Sequence, residues 1–223
     1  MTRHGAERNP VRYAPRTSGP KACPGQEAGS FPLVSMRRVS RSLFAGFAAR
    51  AGLPGDASLG EVVAAVHAIP YGRPTSRTPD GVLAEWKGTC STKHALLARI
   101  VAERWPQLRP RLVHRVYRAD RAFVLSRYGA AAAGAVPDGG LTDVHRYLLL
   151  ACGGQDVIID VTFPTDPPWD GHSSMPLACG EGQDFPAGDD PVTEKAALEA
   201  RYCDPQVREH FIAALMLAAQ PRG

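Results

Sequence analysis

The segment Asp143–Phe163, DVHRYLLLACGGQDVIIDVTF, decides the reading of this chain. Two apolar runs rich in branched residues flank a Gly-Gly pair, the signal of a β-hairpin, because a two-residue turn needs the positive φ that glycine adopts freely. With Gly153-Gly154 as the loop, Cys152 faces Gln155 and Thr162 lies opposite His145. Asp160 is then two residues from Thr162 on the face that carries His145. Such diagonal neighbours are about 7–8 Å apart at the backbone, within reach of both side chains. One more loop residue would turn Asp160 to the opposite face. A carboxylate in an apolar strand is costly to bury unless it is paired, and His145 is the partner this register offers.

Upstream, WKGTCSTKHALLARI (Trp86–Ile100) sets a cysteine at the head of the clearest helical pattern in the chain. Leu96, Leu97, Ile100, Val101 and Trp105 recur at helical spacing, and Pro106 closes the run. In helical steps Cys90, His94, Leu97 and Val101 form one inward row. At a helix start the unpaired N–H groups and the helix dipole favour a thiolate, and the free N–H of Cys90 is half of an oxyanion hole. Thiol acyl transfer needs a thiolate, a base that moves its proton and a group that orients the base. Cys90, His145 and Asp160 are the candidates for those roles. His94 is a local competitor for Cys90, though side chains of one helix seldom converge in that way. His114 reads as a strand histidine, His172 as a loop histidine, and Lys93 and Arg99 as solvated or substrate-adjacent charges. Trp86 is placed either to shape an acyl pocket or to pack the helix end.

The three segments GTCSTKHALLARI, DVHRYLLLA and VIIDVTFP, in that order, resemble the Cys, His and Asp segments of the transglutaminase-like superfamily. The hairpin is also similar to that of the arylamine N-acetyltransferases, with His and Asp fifteen residues apart. The resemblance covers Trp86 to about Pro164. It implies an α+β, transglutaminase-like or papain-like cysteine-enzyme fold with helices packed on an antiparallel sheet. It further implies Cys90 as nucleophile, His145 as general base and acid, and Asp160 as the orienting carboxylate. An acetyltransferase would show R-G-G-x-C and an acidic residue two after the Cys, whereas this chain has Lys87-Gly88-Thr89-Cys90 and Thr92. That departure argues against an acetyl-CoA donor. The function expected is formation or cleavage of an amide or ester through an acyl-thioester on Cys90, with a peptide or small-molecule acyl donor and an amine or water as acceptor. A cysteine peptidase or amidase acting by hydrolysis is one alternative, and a non-catalytic binding module that keeps the fold is another.

The flanks carry less chemistry. Residues 1–35 read as a disordered basic leader, with translation from Met36 as an option, and 36–223 as one domain. A helix is expected over Met36–Ala51, a capping-box helix from Ser58 to Ile69, and a short helix from Thr78-Pro79 to Trp86. A strand is expected over Leu112–Arg118, a loop or irregular insertion over Ser126–Asp143, a loop from Pro164 to about Pro191, and two terminal helices. The loop after Asp160 is a candidate substrate wall anchored by Trp169. Of the formal charge of +4, eight basic and two acidic residues fall within residues 1–41, leaving 18 basic and 20 acidic residues elsewhere. The body is therefore not a nucleic-acid surface. Five cysteines, an odd number without a C-x-x-C pair, argue against a disulfide framework and a zinc site, and leave Cys23, Cys152, Cys179 and Cys203 as inert thiols. No histidine spacing points to a metal, and no cofactor is implied. No apolar run has membrane-spanning length and no secretory h-region is present, which points to the cytoplasm without a membrane partner.

Overall fold

The computed structural model describes residues 42–164 and 166–219. The expected leader, the possible start at Met36 and the first turns of the helix expected over Met36–Ala51 lie outside the described residues. Within them the chain is a mixed α+β fold with a four-stranded antiparallel sheet. The elements run α1 (Leu43–Ala51), α2 (Leu59–His67), α3 (Pro79–Glu85), α4 (Cys90–Arg104), β1 (Arg111–Ala119), α5 (Arg121–Tyr128), α6 (Ala130–Ala133), β2 (Leu141–Cys152), β3 (Gln155–Ile159), β4 (Gly182–Pro186), α7 (Pro191–Tyr202) and α8 (Pro205–Ala218).

Local chemistry sets the helix boundaries. Ser58 and Glu61 form the expected capping box, the Ser58 hydroxyl accepting from the Glu61 N–H while the carboxylate accepts from the Ser58 N–H at 2.8 Å. Thr78 caps α3, whose first residue is Pro79, and Asp190 and Asp204 cap α7 and α8. Helices α1, α2 and α4 bury their apolar stripes together with Leu148, Leu150 and Ile159 of the hairpin, and Phe47, Val62, Leu96 and Ile100 are fully enclosed. A second cluster joins Val124, Ala132, Phe211 and Leu215 from α5, α6 and α8 to Tyr117 of β1.

The sheet order is β3-β2-β1-β4, so β2 is interior and is buried on both faces over most of its length, which is why it reads as an almost unbroken apolar run. The hairpin register is the one the glycine pair requires: Cys152 pairs with Gln155 and Leu148 with Ile159. Gly153 and Gly154 have φ of 57° and 85°, the left-handed region a two-residue hairpin needs. The ladder ends at the Leu148–Ile159 pair, so Asp160 lies just past β3 and the expected position of Thr162 opposite His145 falls outside the paired strands.

Two segments read as loops are ordered elements. The first half of the stretch read as irregular holds the end of α5 and all of α6. The Asp120 side chain caps α5 by accepting from the Phe123 N–H at 2.7 Å, and buried Val124 and Ala132 anchor the pair to α8. Gly129, at φ 86°, breaks the chain between the two helices. The loop from Pro164 to Pro191 contains β4, five residues with almost no apolar alternation. Pairing with β1, reinforced by the Arg115–Asp184 fork at 2.6 and 2.7 Å, holds this edge strand in place of side-chain burial.

Candidate active site

Cys90 is the first residue of α4, capped by the reciprocal geometry in which the Thr89 N–H donates to Thr92 Oγ1 at 2.9 Å. The chain arrives there beside Pro70–Gly72. The Gly88 N–H donates to the Pro70 carbonyl at 3.0 Å and the Gly72 N–H to the Gly88 carbonyl at 3.1 Å, which fixes Tyr71 next to the head of the helix. Gly88 is required at this crossing, since a Cβ there would lie 2.7 Å from Cγ of Lys93.

His145 and Asp160 meet as the hairpin register demands. His145 Nε2 lies 2.8 Å from Asp160 Oδ2, both residues being buried. The Asp160 carboxylate also accepts from the Ala178 N–H at 2.8 Å, the Thr162 N–H at 3.1 Å and the Thr162 hydroxyl at 2.6 Å. Burial opposes its ionisation, but His145 and these donors hold its pKa far below the usual carboxylate range. With Nε2 directed to Asp160, Nδ1 is the imidazole nitrogen left for Cys90. Burial would lower the His145 pKa, yet Asp160 foremost raises it well above the ordinary histidine value. For Cys90, burial would raise the pKa, but the ammonium of Lys195 and the neighbouring His145 bring it down to about 6. Both shifts favour a thiolate beside an imidazolium.

His94 does not compete for the sulfur. Its Nδ1 lies 2.6 Å from the Cys90 carbonyl, and its Nε2 accepts from the Val161 N–H at 3.0 Å. An acceptor role for Nε2 assigns the proton to Nδ1, which donates to the carbonyl. Burial lowers its pKa to about 4, so it is a neutral brace between the head of α4 and the chain just past Asp160. Lys93 is not a solvated or substrate-facing charge either. It is wholly buried, and Nζ donates to the carbonyls of His67, Ile69 and Thr162 at 2.9, 2.8 and 3.1 Å. Arg99 is exposed, as expected.

Several other sequence readings resolve here. His114 is buried in β1, and its Nε2 has no hydrogen-bond partner among the described residues, whereas His172 is an exposed loop residue. Trp86 packs the helix end: it stacks on Phe47 with ring centres 5.9 Å apart, beneath the Arg50 guanidinium. Trp169 packs against the core cluster of α1, α2 and α4, and its indole N–H donates to the Ser173 carbonyl at 2.7 Å, so it is no wall of the site. The loop that carries it contributes Ala178, through its N–H to Asp160. Cys90, Cys179 and Cys203 are free thiols, but Cys152 is not one of them, which corrects its reading as an unpaired cysteine. Among the described residues no group of His, Cys, Asp or Glu is arranged to hold a metal ion, and no helix is long and apolar enough to cross a membrane.

Cys90 and His145 open on a cavity of about 130 Å³. Its walls include Tyr71, Tyr117, Tyr128 and Phe163, together with residues of α7 and α8 that sequence reasoning missed. Lys195 Nζ stands 4.0 Å from Cys90 Sγ and 3.0 Å from Glu199 Oε1; Arg208 bridges Glu199 at 2.8 Å and Asp143 at 2.6 Å. The available signal was the 195, 199 spacing, one helical turn of opposite charges, which on its own describes any solvated helix. Replacing Lys195 with Met removes the nearest counter-charge of the thiolate. The alkylation-rate profile of Cys90 against pH, with its midpoint near 6 in the wild type, is expected to move upward by about one pH unit. An unmoved midpoint would show that Lys195 does not act on the sulfur.

Comparison with family models, with curated proteins and with solved structures returns no match for this chain.

Proposed function

We propose that this protein is a cysteine-dependent acyl-transfer enzyme that forms an acyl-thioester on Cys90, with His145 as general acid and base and Asp160 as the carboxylate that orients it. The observation that carries the reading is the buried His145–Asp160 pair beside a partly exposed, low-pKa thiol at a helix head. The arrangement resembles the transglutaminase-like layout of helix-borne cysteine and strand-borne histidine.

In this reading the Cys90 thiolate attacks a carbonyl carbon, a C–S bond forms, and the oxygen takes up negative charge beside the free N–H of Cys90. Collapse breaks the bond to the amine or alcohol, which leaves with the His145 proton. An incoming water or amine then gives His145 a proton as it attacks the thioester, and the thiolate departs. Hydrolysis and transfer differ only in that second nucleophile. A non-catalytic module would need no cavity at the sulfur and no ionised partner beside it, and both are present.

Limiting iodoacetamide with intact-mass readout tests the assignment. Cys90 is expected to be labelled first among the free thiols at pH 6.5, Cys90→Ala to abolish that fast adduct, and His145→Ala to slow it by at least about tenfold. A Cys90 no faster than Cys203, or indifferent to His145, removes the basis for the triad.

A further inference from the structure

The charge of the cavity indicates what kind of substrate reaches Cys90, on the reading just given. Five cationic side chains, Arg73, Arg77, Arg146, Lys195 and Arg208, line it against two carboxylates, Asp143 and Glu199. Both carboxylates are already engaged: Asp143 by Arg208, and Glu199 by Arg208 and Lys195. Arg73 is held as a fork by Glu209, at 2.5 and 3.1 Å. Two guanidiniums make no direct ion pair among the described residues, and carboxylates act on them only from a distance, Glu209 on Arg77 and Glu199 and Glu194 on Arg146. Arg146 is 2% exposed and donates to the carbonyls of Ser91 and Pro191 and towards the His114 ring. Arg77 is exposed and makes no hydrogen bond or ion pair among the described residues, so its fork of donors is open to an incoming group.

We infer that the cavity takes a substrate bearing an anionic group, a carboxylate or phosphate, which Arg77 beside Glu209-braced Arg73 receives while the reactive carbonyl lies at Cys90. Walls of low polarity, here four aromatic rings with Ile212 and Leu215, strengthen such a field by keeping water out. Formation of the acyl-enzyme consumes the negative charge of the thiolate together with the proton of His145, so the excess of positive charge from the arginines and Lys195 persists through the reaction. A protonated amine is repelled by the same surroundings. Acceptors that fit the site are therefore water or an amine that carries its own negative group, rather than a lysine side chain.

A pair of alkylating reagents of the same reach and opposite suitability tests this. The ratio of Cys90 labelling rates with iodoacetate and iodoacetamide is measured by intact mass and normalised to the ratio for a small free thiol at the same pH. The normalised ratio is expected to be about tenfold or more above unity in low salt, and to fall towards unity at 0.5 M salt. Because Lys195 and His145 also attract an anion, Arg77→Glu and Arg73→Gln separate the mouth from the sulfur's own neighbours. Each is expected to cut the ratio, which cancels any change in the reactivity of the sulfur itself, at least about threefold. Succinate and inorganic phosphate, added as competitors, distinguish a carboxylate from a phosphate by which protects at lower concentration. A normalised ratio near one, or one that ignores Arg77→Glu and Arg73→Gln, overturns the inference. A slow iodoacetamide rate at Cys90 instead overturns the nucleophile, and the ratio is read whatever that rate is.

Discussion

Asp160→Asn is expected to lower the Cys90 alkylation rate at pH 6.5 by about a hundredfold, and to destabilise the fold by about 3 kcal/mol. The first effect follows from the chain of charges. Asp160 is foremost among the influences that keep His145 protonated, and His145 with Lys195 draws the Cys90 pKa down to about 6. An amide at 160 removes the countercharge, so the imidazolium is lost and the thiol returns towards its ordinary value near 8.5. At pH 6.5 the thiolate then becomes a minor species. The second effect follows from hydrogen-bond valence. Both carboxylate oxygens accept, taking four donors in all, and an Asn side chain turns an NH₂ group towards at least one pair of them. Donors that face donors in a buried site lose their bonds and keep the cost of desolvation.

The pH dependence of that stability has a defined sign. In the unfolded chain the Asp160 carboxyl titrates near 3.9, and in the folded protein well below it. Its contribution is thus complete above pH of about 5 and disappears as pH falls through the folded value. Urea midpoints of wild type and Asp160→Asn should converge in acid, and the gap should also narrow at alkaline pH as His145, whose raised pKa depends on Asp160, gives up its proton. Equal midpoints at pH 7 would falsify the hub role of this carboxylate. An alkylation rate equal to that of the wild type would separate Asp160 from the sulfur.

The hairpin was legible because every signal agreed. Gly153-Gly154 dictated the turn, turn parity placed His145 and Asp160 on one face, and the buried acid needed the pairing it received. The head of α4 was legible for the same reason, with cap, apolar stripe and closing proline in one reading frame. What stayed hidden depends on contacts distant along the chain. Lys195 and Arg208 sit on terminal helices whose docking against β2 no periodicity reports, so two residues at the site look like ordinary surface charge. Strand β4 is stabilised by its pairing with β1 and by Arg115–Asp184, not by its own composition. Lys93 is the sharpest case. Lysines in a helix face water by default, and only the approach of three carbonyls from α2 and the end of the hairpin makes burial tolerable.

That burial gives Lys93→Met the second large expected effect, a loss of about 3 kcal/mol at pH 7. The thioether is of similar length and fills most of the space, so the loss is electrostatic and not a cavity. The carbonyls of His67 and Ile69 at the end of α2, and of Thr162 beyond β3, each lose the N–H that reaches them. An ammonium carries three donors, one for each of these acceptors. Against that match, burial lowers the Lys93 pKa to about 7, while in the unfolded chain it titrates near 10.4. Between those two values the unfolded state binds more protons, so wild-type stability gains from Lys93 as pH rises through the window. Urea midpoints measured from pH 6 to 10 are therefore expected to diverge, the wild type gaining on Lys93→Met towards the alkaline end. Thr162 also donates twice to Asp160, so a released Thr162 carbonyl loosens the carboxylate that sets His145. The variant should accordingly label Cys90 more slowly even where it is fully folded. Parallel midpoints across the pH range would mean that Lys93 enters the fold without the shift assigned to it, and an unchanged labelling rate would confine its role to holding α2 against α4.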